Sequence, residues 1–103
     1  MKRGEIRWYK FKAPDKKRPV LILSRNSISE YLGEVTVAPV TSTIRDIPSE
    51  VLLTKSDGIL RECAINFDHI QTVSKNKVGS LISVLSPERL KEVREAILFS
   101  LDL

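Results

Sequence analysis

The sequence predicts an α+β, barrel-like domain in which several short β-strands are closed by one C-terminal helix. Three observations carry this reading. Short runs rich in Val, Ile and Leu recur from residue 6 to residue 85, broken by Pro, Gly, Asn and Asp. Only the last segment shows the three-and-four spacing of an amphipathic helix. The chain has 103 residues, enough for one core, so residues 1–103 form a single domain.

Residues 6–11, Ile-Arg-Trp-Tyr-Lys-Phe, mix aromatic and charged side chains as a half-exposed strand does. Residues 13–17 follow as a loop. Pro19 heads the next strand, where the missing N–H costs little, and residues 20–23 are continuously apolar, as in a strand covered on both faces. Residues 26–33 are polar, with room for one helical turn, and lead into a strand over 35–40. Residues 43–48 read as an irregular loop. A short strand at 51–53 ends in the turn signal Lys55-Ser56-Asp57-Gly58. Extended stretches at 63–67, 70–73 and 78–85 follow, with Lys75-Asn76-Lys77 between the last two. Ser86 is then a good N-cap and Pro87 suits the first helical position. Leu90, Val93, Ile97 and Leu101 mark the helix's apolar stripe.

Charge and cysteine content narrow the function. The formal charge is +4, which suits a polyanionic partner such as nucleic acid. Cys63 is the single cysteine and sits in an apolar run, so an inert buried thiol outweighs a nucleophile. No intrachain disulfide is possible and a reducing compartment is expected. The first residues carry charge in place of a signal peptide's apolar stretch, and no run has membrane-spanning length; the expectation is a cytoplasmic protein without a membrane partner.

Chemistry concentrates in two segments. Lys16, Lys17 and Arg18 precede the strand at 20–23, and Thr41, Ser42 and Thr43 end the strand at 35–40. If these strands pair antiparallel, the start of one lies beside the end of the other. A guanidinium and a group of hydroxyls then share one rim, a phosphate-binding combination. His69 is the sole histidine, with Asp68 beside it. Trp8 stands among basic residues and could stack an unpaired base, although core packing is the commoner fate of such an aromatic. No His, Cys or carboxylate cluster has metal-ligand spacing, so neither a metal nor another cofactor is expected.

Several segments, taken in order, resemble the MazF/PemK family of toxin endoribonucleases. They are Arg3-Gly4-Glu5-Ile6-Arg7-Trp8; Arg18-Pro19-Val20-Leu21 with Ala38-Pro39-Val40-Thr41-Ser42; and Asp68-His69-Ile70-Gln71-Thr72-Val73 with Leu85-Ser86-Pro87-Glu88. The resemblance implies a small SH3-like β-barrel that forms a homodimer and cleaves single-stranded RNA without metal. The substrate's own 2′-OH would attack, leaving 2′,3′-cyclic phosphate and 5′-OH ends, and a cognate antitoxin protein would cover the groove. Arg18 and Thr41 match the family's catalytic positions; Ser42, Asp68, His69, Lys16, Lys17 and Trp8 are the candidate substrate contacts. His69 stands where the family has Gln, Gln71 replaces an Arg common there, and the 13–17 loop is shorter than usual. Two alternatives use the same fold: a toxin that binds and poisons DNA gyrase without catalysis, and a plain RNA-binding barrel.

Overall fold

A computed structural model describes residues 1–10, 17–26 and 33–103 of the chain. The expectations for Phe11, for Lys16 with the rest of the loop at 13–16, and for a helical turn within 27–32 lie outside the described residues. Among the described residues, seven strands and one full α-helix follow in order: β1 (Glu5–Lys10), β2 (Lys17–Ile22), β3 (Glu34–Thr41), β4 (Glu50–Leu53), β5 (Cys63–Asn66), β6 (Gln71–Ser74), β7 (Val78–Val84) and α1 (Pro87–Ser100). All strand pairs described are antiparallel. Hydrogen bonds join them in the order β4-β5-β3-β2-β1-β7, with β6 on β3.

β3 is the hub. Its first half, Glu34 to Val37, pairs with β6, and its second half, Val40 and Thr41, pairs with β5. Along its other edge it pairs with β2, Val20 lying across from Pro39. A strand flanked on both edges and both faces must be nearly all apolar, which accounts for the Val-Ala-Pro-Val run. Alternate residues then serve different packings. Ala38 and Val40 enter the main core with Ile6, Leu21, Val51, Leu53, Ile65, Phe67, Leu85, Val93 and Ala96. Val35 and Val37 point the other way and form a second cluster with Tyr9, Val20, Ile22 and Val73.

The hydrogen-bonded path does not close, since β4 and β7 are its two ends. Side chains span the gap. Ser83 Oγ, on β7, donates to the Asp57 carbonyl in the turn that follows β4. From α1, Arg89 grips the Asp57 carboxylate with both prongs, Nε to Oδ1 at 3.0 Å and Nη2 to Oδ2 at 3.1 Å. The Thr54 N–H also donates to Oδ2, at 2.9 Å. Gly58 closes this turn at φ +85°, and a Cβ there would sit 2.5 Å from Ser83 Oγ. Only glycine fits both restrictions. The main core, fed from both ends of the strand path and from α1, completes the barrel.

The helix begins as its sequence dictates: Ser86 Oγ accepts from the Arg89 N–H at 3.2 Å and Pro87 opens the first turn. Its buried stripe is shorter than expected. Val93 and Ala96 are buried and Leu90 and Ile97 pack against the core, but Leu101 lies past the helix end and is 58% exposed. The three-and-four spacing therefore overstates the stripe buried within this chain by one turn. A smaller shift concerns Phe67, which leaves β5 for a 3-10 turn, Phe67–His69.

The Asp57 clasp gives stability a pH signature. Burial pushes this carboxyl up, but the Arg89 and Thr54 donors outweigh it and hold it below its ordinary 3.8. A depressed carboxylate stabilises the fold at pH values above its unfolded pKa, and that contribution fades as pH falls through the folded value. Asp57→Asn is expected to lose about 1.5–3 kcal/mol at neutral pH, the scale of hydrogen bonds to a charged group. Urea unfolding of the two proteins at pH 7 and again below pH 3.8 should show the gap narrowing.

Candidate functional site

The β2–β3 register decides the site. The ladder ends with Val20 facing Pro39; continued two residues past that last pair, the same offset sets Arg18 toward Thr41. Both lie on the side of the sheet that carries Val20 and Val37, beyond the edge of the second cluster. They line a groove of about 280 Å³ with Pro39, Val40, Thr43, Arg45, Asn66, His69 and Gln71. The expected sharing of one rim by guanidinium and hydroxyls is what the strands produce.

Each groove residue is fixed by an identifiable local cause. Thr41 Oγ1 accepts the Thr43 N–H at 3.0 Å, a turn that bends the chain out of β3. A hydroxyl has two lone pairs and one proton; with a lone pair so occupied, the proton remains for an acceptor in the groove. His69 is delivered by the Phe67–His69 turn. Asn66, itself buried, caps that turn by accepting the Asp68 N–H at 2.8 Å, and Phe67 is driven into the core at 1% exposure. Gln71 follows by alternation, two residues before the buried Val73 on β6.

The groove is electrostatically one-sided. Among its described lining residues are two arginines and a histidine but no carboxylate. Two nearby acids are engaged elsewhere, while Asp46, next to Arg45, is exposed: Ser49 Oγ donates to Asp68 Oδ2 at 2.6 Å, and Glu50 Oε1 accepts two loop N–H groups. Such a surface attracts an anion and presents planar guanidinium forks suited to phosphate oxygens.

Of the residues singled out from sequence, Arg18, Thr41 and His69 are brought together. Ser42 is exposed beside them without lining the groove, and Asp68 is held by Ser49 outside it. Lys17 is exposed at the head of β2 across from Lys10, on the alternate side from Arg18. Trp8 pairs with Pro19 and likewise alternates away from the groove face; it is 37% exposed. Lys16 is outside the described residues. Sequence reasoning passed over Asn66 and Arg45. Alternation against Val73 could have placed Gln71, but Arg45 lies in an irregular loop with no periodicity to reveal it.

Cys63 is not part of this groove. Burial first, and the nearby Asp57 charge second, push its thiol up to about 11. Iodoacetamide at pH 7 is expected to label it far more slowly than a free thiol, with the rate climbing steeply toward pH 11; mass spectrometry of timed samples reads this directly. Among the described residues no three His, Cys, Asp or Glu side chains gather as a bound metal would require, and no helix is long and apolar enough to cross a membrane.

Fold and groove together define a small barrel-like protein with a basic groove. The chain belongs to the PemK-like, MazF-like toxins of type II toxin–antitoxin systems, whose family model matches residues 2–101. It is 36% identical over 98 residues to the probable endoribonuclease MazF2 of Mycobacterium tuberculosis, with 94% of each chain covered. It also superposes on the Mycobacterium tuberculosis toxin MazF-mt6 with a TM-score of 0.89 at 33% identity, covering 96% of this chain and 97% of that one. A mycobacterial endoribonuclease solved in complex with its cognate antitoxin matches with a TM-score of 0.88 at 25% identity, over 100% of this chain and 96% of that one.

Proposed function

We propose that this chain is a cytoplasmic endoribonuclease toxin that cuts single-stranded RNA, acts as a homodimer and is silenced by a cognate antitoxin. The observation that carries the proposal is that Arg18 and Thr41 line one groove, free of carboxylates among its described lining residues. Relatives over nearly the full chain are endoribonucleases, and one matching structure holds its antitoxin. Gyrase binding is disfavoured, because a protein-docking surface has no need of this pair. For the dimer, the last turn of α1 and the residues after it supply exposed apolar side chains: Phe99 at 59%, Leu101 at 58% and Leu103 at 82%.

The reaction follows from what these groups can do. The substrate's 2′-oxygen attacks the adjacent phosphorus as its proton passes to a base; a P–O2′ bond forms, the P–O5′ bond breaks, and the departing 5′-oxygen takes a proton. The products are a 2′,3′-cyclic phosphate and a 5′-OH, and no external nucleophile is consumed. Arg18 neutralises charge on the two non-bridging oxygens as it builds in the transition state, and Thr41 donates its hydroxyl proton to one of them. His69 is assigned as the base, since imidazole both accepts and returns a proton and is the one described groove side chain of that kind. Arg18 or water in the open groove supplies the proton to the 5′-oxygen.

Purified protein incubated in EDTA with a long unstructured RNA should give discrete fragments bearing 5′-OH ends. Arg18→Ala should slow cleavage by about a hundredfold or more, the usual loss when one oxyanion donor is removed. Intact RNA with folded wild type would sink the nuclease reading. The cleavage rate of His69→Gln is a separate check. If His69 is the base, the variant loses most of the rate while still binding the RNA; a wild-type rate assigns the base elsewhere.

A further inference from the structure

We infer that Arg45 is a second phosphate-binding residue, seated by the buried carboxylate of Glu50, and that it grips a phosphodiester neighbouring the one being cut. This rests on the RNA-cleaving reading above and extends it to the loop between β3 and β4.

Arg45 lines the same groove as Arg18 and Thr41, with Thr43 also on its wall. The loop that carries it is held at both ends and in the middle. Thr41 Oγ1 takes the Thr43 N–H at 3.0 Å; Glu50 Oε1 takes the Arg45 and Asp46 N–H groups at 2.9 and 3.2 Å. Beyond them, Ser49 bonds Asp68, and its carbonyl accepts the Phe67 N–H at 3.0 Å. Asp46 has φ +54°, a left-handed turn that costs a non-glycine residue energy and persists only when its surroundings enforce it. Two successive N–H groups converging on one carboxylate oxygen are that enforcement.

The placement of Glu50 is otherwise hard to account for. Its side chain is 1% exposed, and Oε2 is buried with no hydrogen bond, only the Arg45 Nη1 cation 3.8 Å away. Burying a carboxylate is costly unless charge and donors compensate, and an apolar residue would fill the space without that cost. What an apolar residue could not do is fix the backbone at Arg45 while keeping a counter-charge beneath its guanidinium. At 3.8 Å that contact leaves the fork's N–H donors uncommitted, and the Arg45 side chain is 54% exposed. A guanidinium on an anchored backbone, more than half exposed and only loosely held at one Nη, is built to receive an external anion. Since Arg18 and Thr41 take the scissile phosphate, the anion that reaches Arg45 along the same groove is the next phosphate of the same strand.

The test compares wild type, Arg45→Ala and Glu50→Gln, using a fluorescent single-stranded RNA at several salt concentrations. Arg45→Ala should raise KM about tenfold with little change in kcat, and flatten the salt dependence by about 0.7 in log–log slope, the loss of one contact to a single-stranded phosphate. Glu50→Gln keeps an oxygen for the loop N–H groups but removes the charge; it should raise KM in the same direction while circular dichroism stays that of wild type. A kcat loss at constant KM, or wild-type KM and salt slope in Arg45→Ala, overturns the inference. Anisotropy binding of the same RNA separates the two levels. Wild type that binds without cutting defeats the nuclease reading alone, whereas Arg45→Ala binding with the wild-type salt slope defeats the Arg45 assignment alone.

Discussion

Everything in this molecule depends on the register between β2 and β3. With Val20 against Pro39, Leu21 and Ala38 fall into the main core while Val20 and Val37 fall into the second cluster. Extended two residues past Val20 and Pro39, the same offset sets Arg18 toward Thr41. A slip of one residue would send each of these side chains to the opposite face, exposing two sets of apolar groups and separating the guanidinium from the hydroxyl. Stability and chemistry are therefore selected by one geometric choice. The apolar residues hold the register; the polar residues at the strand ends use it.

Around that fixed pair, the groove is assembled by turns whose polar groups are satisfied locally. Asn66 caps the turn that presents His69, Ser49 occupies the Asp68 carboxylate, and Glu50 gathers the loop N–H groups. Two of the acids near the groove, Asp68 and Glu50, are thus tied to the protein's own donors, which blunts their repulsion of an incoming polyanion. A groove facing a partner with one charge per nucleotide benefits from each carboxylate so withdrawn.

Much of this was legible in the sequence. Period and punctuation locate the strands, Ser86-Pro87 starts the helix at the right residue, and antiparallel pairing of two apolar runs brings Arg18 and Thr41 together. The limits were of two kinds. Leu101 has the correct spacing for the helix stripe, yet spacing says nothing about how far burial within the chain extends. Arg45 and Asn66 act through loop geometry, where a positive φ at Asp46 and a carboxylate several residues away determine direction, and neither has a periodic signature. Trp8 shows the converse: its basic neighbours suggested a base platform, but alternation along β1 turns it to the other face from Arg18.

β1 finds its outer neighbour, β7, only when nearly the whole chain exists, and the clasp onto Asp57 waits for Arg89 beyond it. A growing chain therefore carries Arg18 and Thr41 long before it has the strand and helix that complete the main core around Ile6 and Val40. Pairings so distant in sequence form late and slowly, because loop closure must be met before the contacts repay it. The groove pair is encoded early, and the core that steadies its strands is completed last.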